Sequence, residues 1–437
     1  MLRFGTDGVR GVAHREITPK AVQYFARAAA RALRCQGVVV GHDPRESSPE
    51  LARAVAEGFR AEGVVVDFVG MAPTPAVAFL AQHRGIAAAV ITASHNPYTD
   101  NGLKFFRPGG TKLNDAEEAD IQSIYEGFVA SDEAFIEPVG GYGTVTLETY
   151  VEHLCHSGAS VNRNLRLVVD CANGAMSTAA RHVFSQLGLD ARFFNNEPNG
   201  TNINVDCGAA HPEHLASLAK ANACDVAIAF DGDGDRLIAA TSDGDIVDGD
   251  HLIALAALDL KSRGLLVGDA VVVTVMSNIG FHRAMSDAGI SVHTTAVGDR
   301  SVLLELERTG AVLGGEQSGH IIRRDLATTG DGLLAAVELL ALLGRVGSTF
   351  SEVASAAMTS FPQVLVNVRV DADARARVEA CSDVVRAVEA ELGDQGRVLV
   401  RASGTEPLVR VMVEARDDAT ARRLAKRIAD SVGATEG

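Results

Sequence analysis

Short apolar runs alternate with amphipathic segments along this chain, and the alternation comes three times in one order. The first copy opens with VVVGHDPR from Val38, then a helical segment from about Pro49 to Ala61 and a strand GVVVDFVG from Gly63. It closes with GIAAAVIT, whose polar continuation begins at Ser94. The second copy runs from LRLVVDCANGA at Leu165 through a helix to about Leu187, GLDARFFN from Gly188, and ACDVAIAF ending at Asp231. The third has AVVVTVMSN from Ala270, a short helix, GISVHTTAVGD from Gly289, and AVLGG ending at Glu316. Strand, helix, strand, connection, strand is the pattern of parallel or mixed sheets covered by helices. After Phe361 the order changes to strand (VLVNVRVD), helix (about Ala374 to Leu392), two strands (RVLVRAS and LVRVMVEAR) and a final helix, a smaller α+β arrangement. The predicted fold is therefore α/β, with three similar mixed-sheet domains of common ancestry and a C-terminal α+β domain. Their bounds are 1–147, 148–252, 253–361 and 362–437. The linker is placed near Pro362, and the terminal GATEG is read as frayed.

In each copy the third strand runs straight into an unusual polar loop: TASHNP, then DGDGDR, then GEQSGH. Ligands of open α/β sheets bind beyond the carboxyl ends of the strands, so these loops, with one from the fourth domain, are expected to line a central cleft.

Composition narrows the ligand. The chain has 437 residues, and its formal net charge of −16 argues against a nucleic-acid or anionic-membrane partner. An anionic ligand would then need locally gathered positive charge. Six cysteines (Cys35, Cys155, Cys171, Cys207, Cys224 and Cys381) form no C-x-x-C pair, which suits reduced thiols and a cytoplasmic setting. The opening MLRFGTDGVRG lacks the apolar stretch of a signal peptide. The run Leu333 to Leu343 contains Glu338 and reads as a core helix. A homodimer is compatible with the chain.

The loops carry distinct chemistries. Asp231, Asp233 and Asp235 alternate with glycines, so several hard oxygens can face one cation such as Mg²⁺. An EF-hand is excluded, because Phe230 ends an apolar strand and the twelfth loop position is Ser242 instead of Glu. Ser94 facing a carboxylate-bound metal suits a phosphoryl carrier, although the motif alone leaves open a turn or cap serine. His95, on an extended segment, is expected to point away from Ser94, which disfavours a base-activated hydrolase. Arg401-Ala-Ser-Gly-Thr-Glu-Pro407 with Arg410 has the donors of a phosphate cradle, the alternative being a hairpin turn. Lys104, between apolar residues, is expected to have a lowered pKa and to serve as a general base, or else to be a snorkelling surface lysine. His153, Cys155 and His156 are too crowded for a soft-metal site and read as packing.

Together and in this order, TASHNP, DGDGDR, GEQSGH and RASGTEPLVRVMVE resemble the phosphoserine, metal, sugar and phosphate loops of the α-D-phosphohexomutase superfamily. The resemblance covers essentially the whole chain. FGTDGVRG from Phe4, DNGLKFF, GEQSGHII and SGTEPLVRVMVE are most similar to a bacterial branch acting on glucosamine phosphates. GMAPTP at Gly70 departs from that pattern only in a connecting loop. The resemblance implies four domains around a cleft, one Mg²⁺ per site, and interconversion of glucosamine 6-phosphate and glucosamine 1-phosphate on the route to UDP-N-acetylglucosamine. A sugar bisphosphate would be both intermediate and activator. Ser94 would carry the phosphoryl group and join Asp231, Asp233 and Asp235 on the metal. Arg10 would steady the transferring group, Lys104 take a proton and His95 support the loop electrostatically. Arg236, Asp299, Glu316, Ser318 and His320 would hold the sugar, and Arg401, Ser403, Gly404, Thr405 and Arg410 the idle phosphate. Phosphomannomutase or phosphoglucomutase chemistry is the near alternative. A metal-dependent sugar phosphatase and a non-catalytic relative are the distant ones.

A bisphosphate that turns over in place needs a site that opens without losing it, so residues 362–437 are expected to rotate about the segment near Pro362. Hydrogen exchange or scattering should change in that domain on adding ligand, and identical profiles with and without ligand would contradict the rotation.

Overall fold

A computed structural model describes residues 2–5, 7–370, 373–403 and 407–433, so the expectations for Gly404, Thr405 and most of the terminal GATEG lie outside the described residues. The three internal copies fold into sheets with a shared strand order. In the first, Val65–Met71, Gly37–His42 and Ala87–Ile91 run parallel, and Asp100–Arg107 adds on antiparallel. The second repeats this with Asp190–Phe194, Arg166–Asp170, Val226–Phe230 and antiparallel Leu237–Ala240. The third does so with Ser291–Thr295, Ala270–Thr274, Leu313–Gly315 and antiparallel Ile321–Arg323. Inner parallel strands are covered on both faces, which is why Ala87–Ile91, Val226–Phe230 and Ala270–Thr274 are buried throughout and, Thr274 apart, apolar.

Parallel neighbours need crossover connections, and here the segments between second and third strands are the helices Thr74–Arg84, Pro212–Asn222 and Asp299–Thr309. Two of these carry a proline in the first turn, Pro75 and Pro212, where its fixed φ suits the helix. Val9–Val12 extends the first sheet, pairing antiparallel with Asp100–Arg107 so that Arg10 lies opposite Gly102. No single helix among the described residues is long and apolar enough to cross a membrane.

By its internal contacts the chain divides into Met1–Met276 with Ile290–Ala357, and Ser277–Gly289 with Met358–Gly437. The second unit centres on an antiparallel sheet of Gln363–Arg369, Leu408–Ala415 and Gly396–Ala402, in that order. The helix Ile279–Asp287 belongs to this unit: the Asn278 side chain exchanges hydrogen bonds with the Phe361 backbone, and Ile279 N donates to Glu414 Oε2 at 2.9 Å. The single helix expected from about Ala374 to Leu392 is two, Ala374–Ala380 and Ser382–Leu392. They break at Cys381, which is buried and whose thiol turns back to the Val378 carbonyl.

In the first unit, Asp331 caps the helix Gly332–Val346, accepting from the N–H groups of Leu333 and Leu334, while Tyr150 donates to both its oxygens at 3.0 Å. Burial raises its pKa to about 6 against these bonds. A carboxyl raised in the folded state holds its proton more tightly there than in the unfolded chain. Ionisation therefore costs stability in full above about pH 6, and the cost vanishes as pH falls toward the ordinary carboxylate range. Asp331→Asn keeps the cap and is expected to be more stable than the parent near pH 7, on the order of 1–3 kcal/mol. Thermal unfolding midpoints should converge near pH 4; an undiminished gap would contradict the buried carboxylate.

Candidate active site

Ser94 follows the first copy's last parallel strand and adopts φ 50°, a left-handed conformation that costs a non-glycine residue about 1–3 kcal/mol. Two side chains hold it there by its carbonyl: Arg45 Nη2 and Asn204 Nδ2 each donate to Ser94 O at 2.9 Å. Arg45 is fully buried and also donates to the carbonyls of Asn96 and Asp100, so one guanidinium shapes the whole loop. Its own orientation comes from Asp43 at 2.8 Å, which accepts from Ser48 and Thr92 as well. The Ser94 backbone N–H donates to Thr92 Oγ1 at 2.9 Å.

So held, the Ser94 hydroxyl donates to Asp231 Oδ2 at 2.6 Å. Asp231, Asp233 and Asp235 are buried, with one carboxylate oxygen from each lying within 4.8 Å of the others. Burial first, then Asp235 and Asp233, push the Asp231 pKa well above its ordinary value. Oδ1 of Asp233 and Oδ1 of Asp235 are buried without a hydrogen bond. Hard, crowded and partly unpartnered oxygens of this kind fit a divalent cation such as Mg²⁺.

Two expectations need correction. His95 does not point away from Ser94: its Nδ1 is 3.2 Å from the Ser94 hydroxyl, because the positive φ at Ser94 breaks the extended alternation. Burial, then Arg236 and Arg10, lower its pKa to about 4, so any support it lends is that of a neutral imidazole. Lys104 is buried as foreseen, yet its pKa is raised. Desolvation is the largest influence, but the ion pairs with Asp7 (2.8 Å), Asp233 (2.9 Å) and Asp235 (3.3 Å) together outweigh it. It is a firmly held ammonium, unsuited in this arrangement to take a proton. Arg10 joins the same group, donating to Asp7 at 2.6 Å and to Asn96 Oδ1 at 3.3 Å.

The GEQSGH loop is the turn between Leu313–Gly315 and Ile321–Arg323, closed by Glu316 N donating to His320 O at 3.0 Å. Arg236 and His320 form an isolated bridge, which joins the DGDGDR and GEQSGH loops. His320 is buried with neither ring nitrogen hydrogen-bonded, and its Nε2 lies 3.7 Å from Asp299. A Cβ on Gly330 would come within 2.4 Å of that ring, so the glycine makes room for it. Glu316 Oε1 accepts from Gly298 N at 3.1 Å, and Ser318 is exposed.

In the C-terminal unit Arg401 and Arg410 stand directly opposite across two strands. Burial and then Arg410 lower the Arg401 pKa, and such paired like charges favour an anion. Ser403 N donates to Leu408 O at 2.9 Å. As the sequence suggests, His153 is a packing residue, stacked on Phe79 at 4.7 Å.

Several site residues escape sequence reasoning. Arg45 and Asp43 lie in HDPR, at a strand end like those that were singled out, so the same rule would have found them. Asp7 sits in GTDGVR beside Arg10, whereas Lys112, Asn204 and Thr74, whose hydroxyl donates to Asp233 Oδ2 at 2.6 Å, carry no local signal.

Models of the phosphoglucomutase/phosphomannomutase family match along the chain: alpha/beta/alpha domain I over 1–129, domain II over 148–244, domain III over 248–361 and the C-terminal domain over 365–431. The chain belongs to the phosphoglucomutase/phosphomannomutase family. It is 45% identical over 443 residues to the phosphoglucosamine mutase of Mycobacterium tuberculosis, covering 98% of each chain. A solved phosphoglucomutase/phosphomannomutase family protein from Burkholderia thailandensis superposes with a TM-score of 0.81 at 28% identity, over 98% of this chain and 96% of the other. The fold is also that of Aspergillus fumigatus N-acetylphosphoglucosamine mutase, solved with GlcNAc-6P and magnesium, at a TM-score of 0.70 and 21% identity over 98% and 95% of the chains.

Gly232 limits the seating of Ser94: a Cβ there would lie 2.5 Å from Ser94 O and 2.8 Å from Asn204 Nδ2. Gly232→Ala is expected to lower kcat on the order of 100-fold, with KM changed far less. Turnover equal to the parent's would contradict the clamp.

Proposed function

We propose that this enzyme interconverts glucosamine 6-phosphate and glucosamine 1-phosphate in the cytoplasm, with Ser94 as phosphoryl carrier and a glucosamine bisphosphate as intermediate and activator. The observation that carries the mechanism is the Ser94 hydroxyl 2.6 Å from a buried aspartate triad. The sugar is supported by a full-length relative named phosphoglucosamine mutase at 45% identity. An ordinary serine esterase is disfavoured, because the hydroxyl hydrogen-bonds a carboxylate of the triad and the pKa of its half-buried histidine neighbour is lowered by desolvation and by Arg236 and Arg10.

In the forward step the free hydroxyl of a bound monophosphate attacks the phosphorus on Ser94. A new P–O bond forms to the sugar, the bond to Ser94 Oγ breaks, and the bisphosphate that results turns over and returns its other phosphoryl group. Mg²⁺ held by Asp231, Asp233, Asp235 and the Ser94 oxygen would neutralise charge on that group. Arg10 and Lys104 supply fixed positive charge beside it, an assignment that replaces Lys104 as base. The geometry offers His320 as proton acceptor, since its ring nitrogens are unpartnered and Asp299 stands by to steady an imidazolium. Arg236, Glu316 and Ser318 would read the sugar, and the Arg401–Arg410 pair with Ser403 the idle phosphate. The like-charge opposition of those two arginines supports that role.

The test compares kcat/KM for glucosamine, glucose and mannose monophosphates, with Mg²⁺ and the matching bisphosphate, in wild type and Ser94→Ala. Glucosamine phosphate should be preferred and the variant inactive. Preference for glucose or mannose phosphate would reassign the substrate, net phosphate release would indicate a phosphatase, and full activity of Ser94→Ala would overturn the carrier.

A further inference from the structure

Lys112 lies outside every motif and yet joins two parts of the site. It sits in the two-residue strand Thr111–Lys112, opposite Phe106 on the strand that carries Lys104, so both lysines project from one face of the sheet. Its ammonium reaches Asp7 at 3.1 Å and forms an ion pair with Asp299. Asp7 in turn binds Arg10 at 2.6 Å and Lys104 at 2.8 Å, while Asp299 stands 3.7 Å from His320. A continuous row of alternating charges thus runs from the cations beside Ser94 to the sugar loop. The side chains of Lys112, Asp7 and Asp299 are only 15%, 22% and 11% exposed, so solvent screens the row weakly.

Neighbouring contacts brace the same junction. Thr328 Oγ1 donates to Gly110 O at 2.5 Å, gripping the turn before Lys112. Arg300, next to Asp299, pairs with Asp115 at 2.7 Å and Glu118 at 2.9 Å. The dipeptide Asp299-Arg300 therefore meets a cation and two carboxylates of the first copy, with signs matched at each contact.

We propose that Lys112 is a positioning residue for phosphoryl transfer: by bridging Asp7 and Asp299 it holds the sugar loop at a fixed distance and orientation from the cations around Ser94. The inference rests on Ser94 being the carrier. Lys112 acts through Asp7 and Asp299, so its loss misplaces reacting groups without removing one.

The experiment measures kcat and KM, with the hexose monophosphate the wild type turns over best, for Lys112→Met, Lys112→Gln and Lys112→Arg, alongside thermal midpoints. Met and Gln variants should fold as the parent does and lose on the order of 10–100-fold in kcat with a smaller change in KM; Arg, able to bridge two carboxylates, should recover most of the loss. The proposal is overturned if the Met variant stays within about threefold of wild type, if Arg is as impaired as Gln, or if Met and Gln variants alike fail to fold. A wild type that turns over no hexose phosphate would overturn the mutase reading, and this inference with it. Turnover of a different hexose phosphate would change only the substrate.

Discussion

The hydrogen bond from Ser94 to Asp231 joins the carboxyl ends of parallel strands in two mixed sheets, and the rest of the site is arranged around it. It exists because Ser94 is held at a positive φ by a buried guanidinium and a buried amide that both donate to its carbonyl. It also depends on three carboxylates kept closer together than their charges favour, which the cations beside them make tolerable. Glycines at 232 and 330 leave the space this closeness needs.

That constraint explains how a chain with formal charge −16 can bind an anion. Arg10, Lys104 and Lys112 converge on a single carboxylate, Asp7, and Arg236 lies 3.9 Å from Asp235 of the triad. Each cation is positioned by a carboxylate, so the donors beside Ser94 are organised before substrate arrives. Preorganisation of this kind is where much of an enzyme's rate enhancement resides.

Much of the architecture is legible in the residue pattern, because a strand buried on both faces must be written as a continuous apolar run. Ala87–Ile91, Val226–Phe230 and Leu313–Gly315 each end at the polar loop the pattern singles out. Less legible is whatever depends on partners distant in sequence. Nothing near Ser94 announces a left-handed backbone, since the residues enforcing it are Arg45 and Asn204. The sign of the Lys104 shift is hidden from the sequence for the same reason: apolar neighbours in the chain foretell desolvation, but Asp7, Asp233 and Asp235 arrive through the fold. The helix break falls at Cys381, whose buried thiol donates to the nearby Val378 carbonyl.

The central claim is that a phosphoryl group on Ser94 and a divalent cation on the aspartate triad share one site. The direct measurement is phosphorus hyperfine coupling to Mn²⁺ bound to the phosphorylated protein, read by electron–nuclear double resonance. The account predicts a strong ³¹P coupling that disappears in Ser94→Ala. Mn²⁺ bound at the triad with no phosphorus coupling in protein shown by mass to be phosphorylated on Ser94 would contradict it.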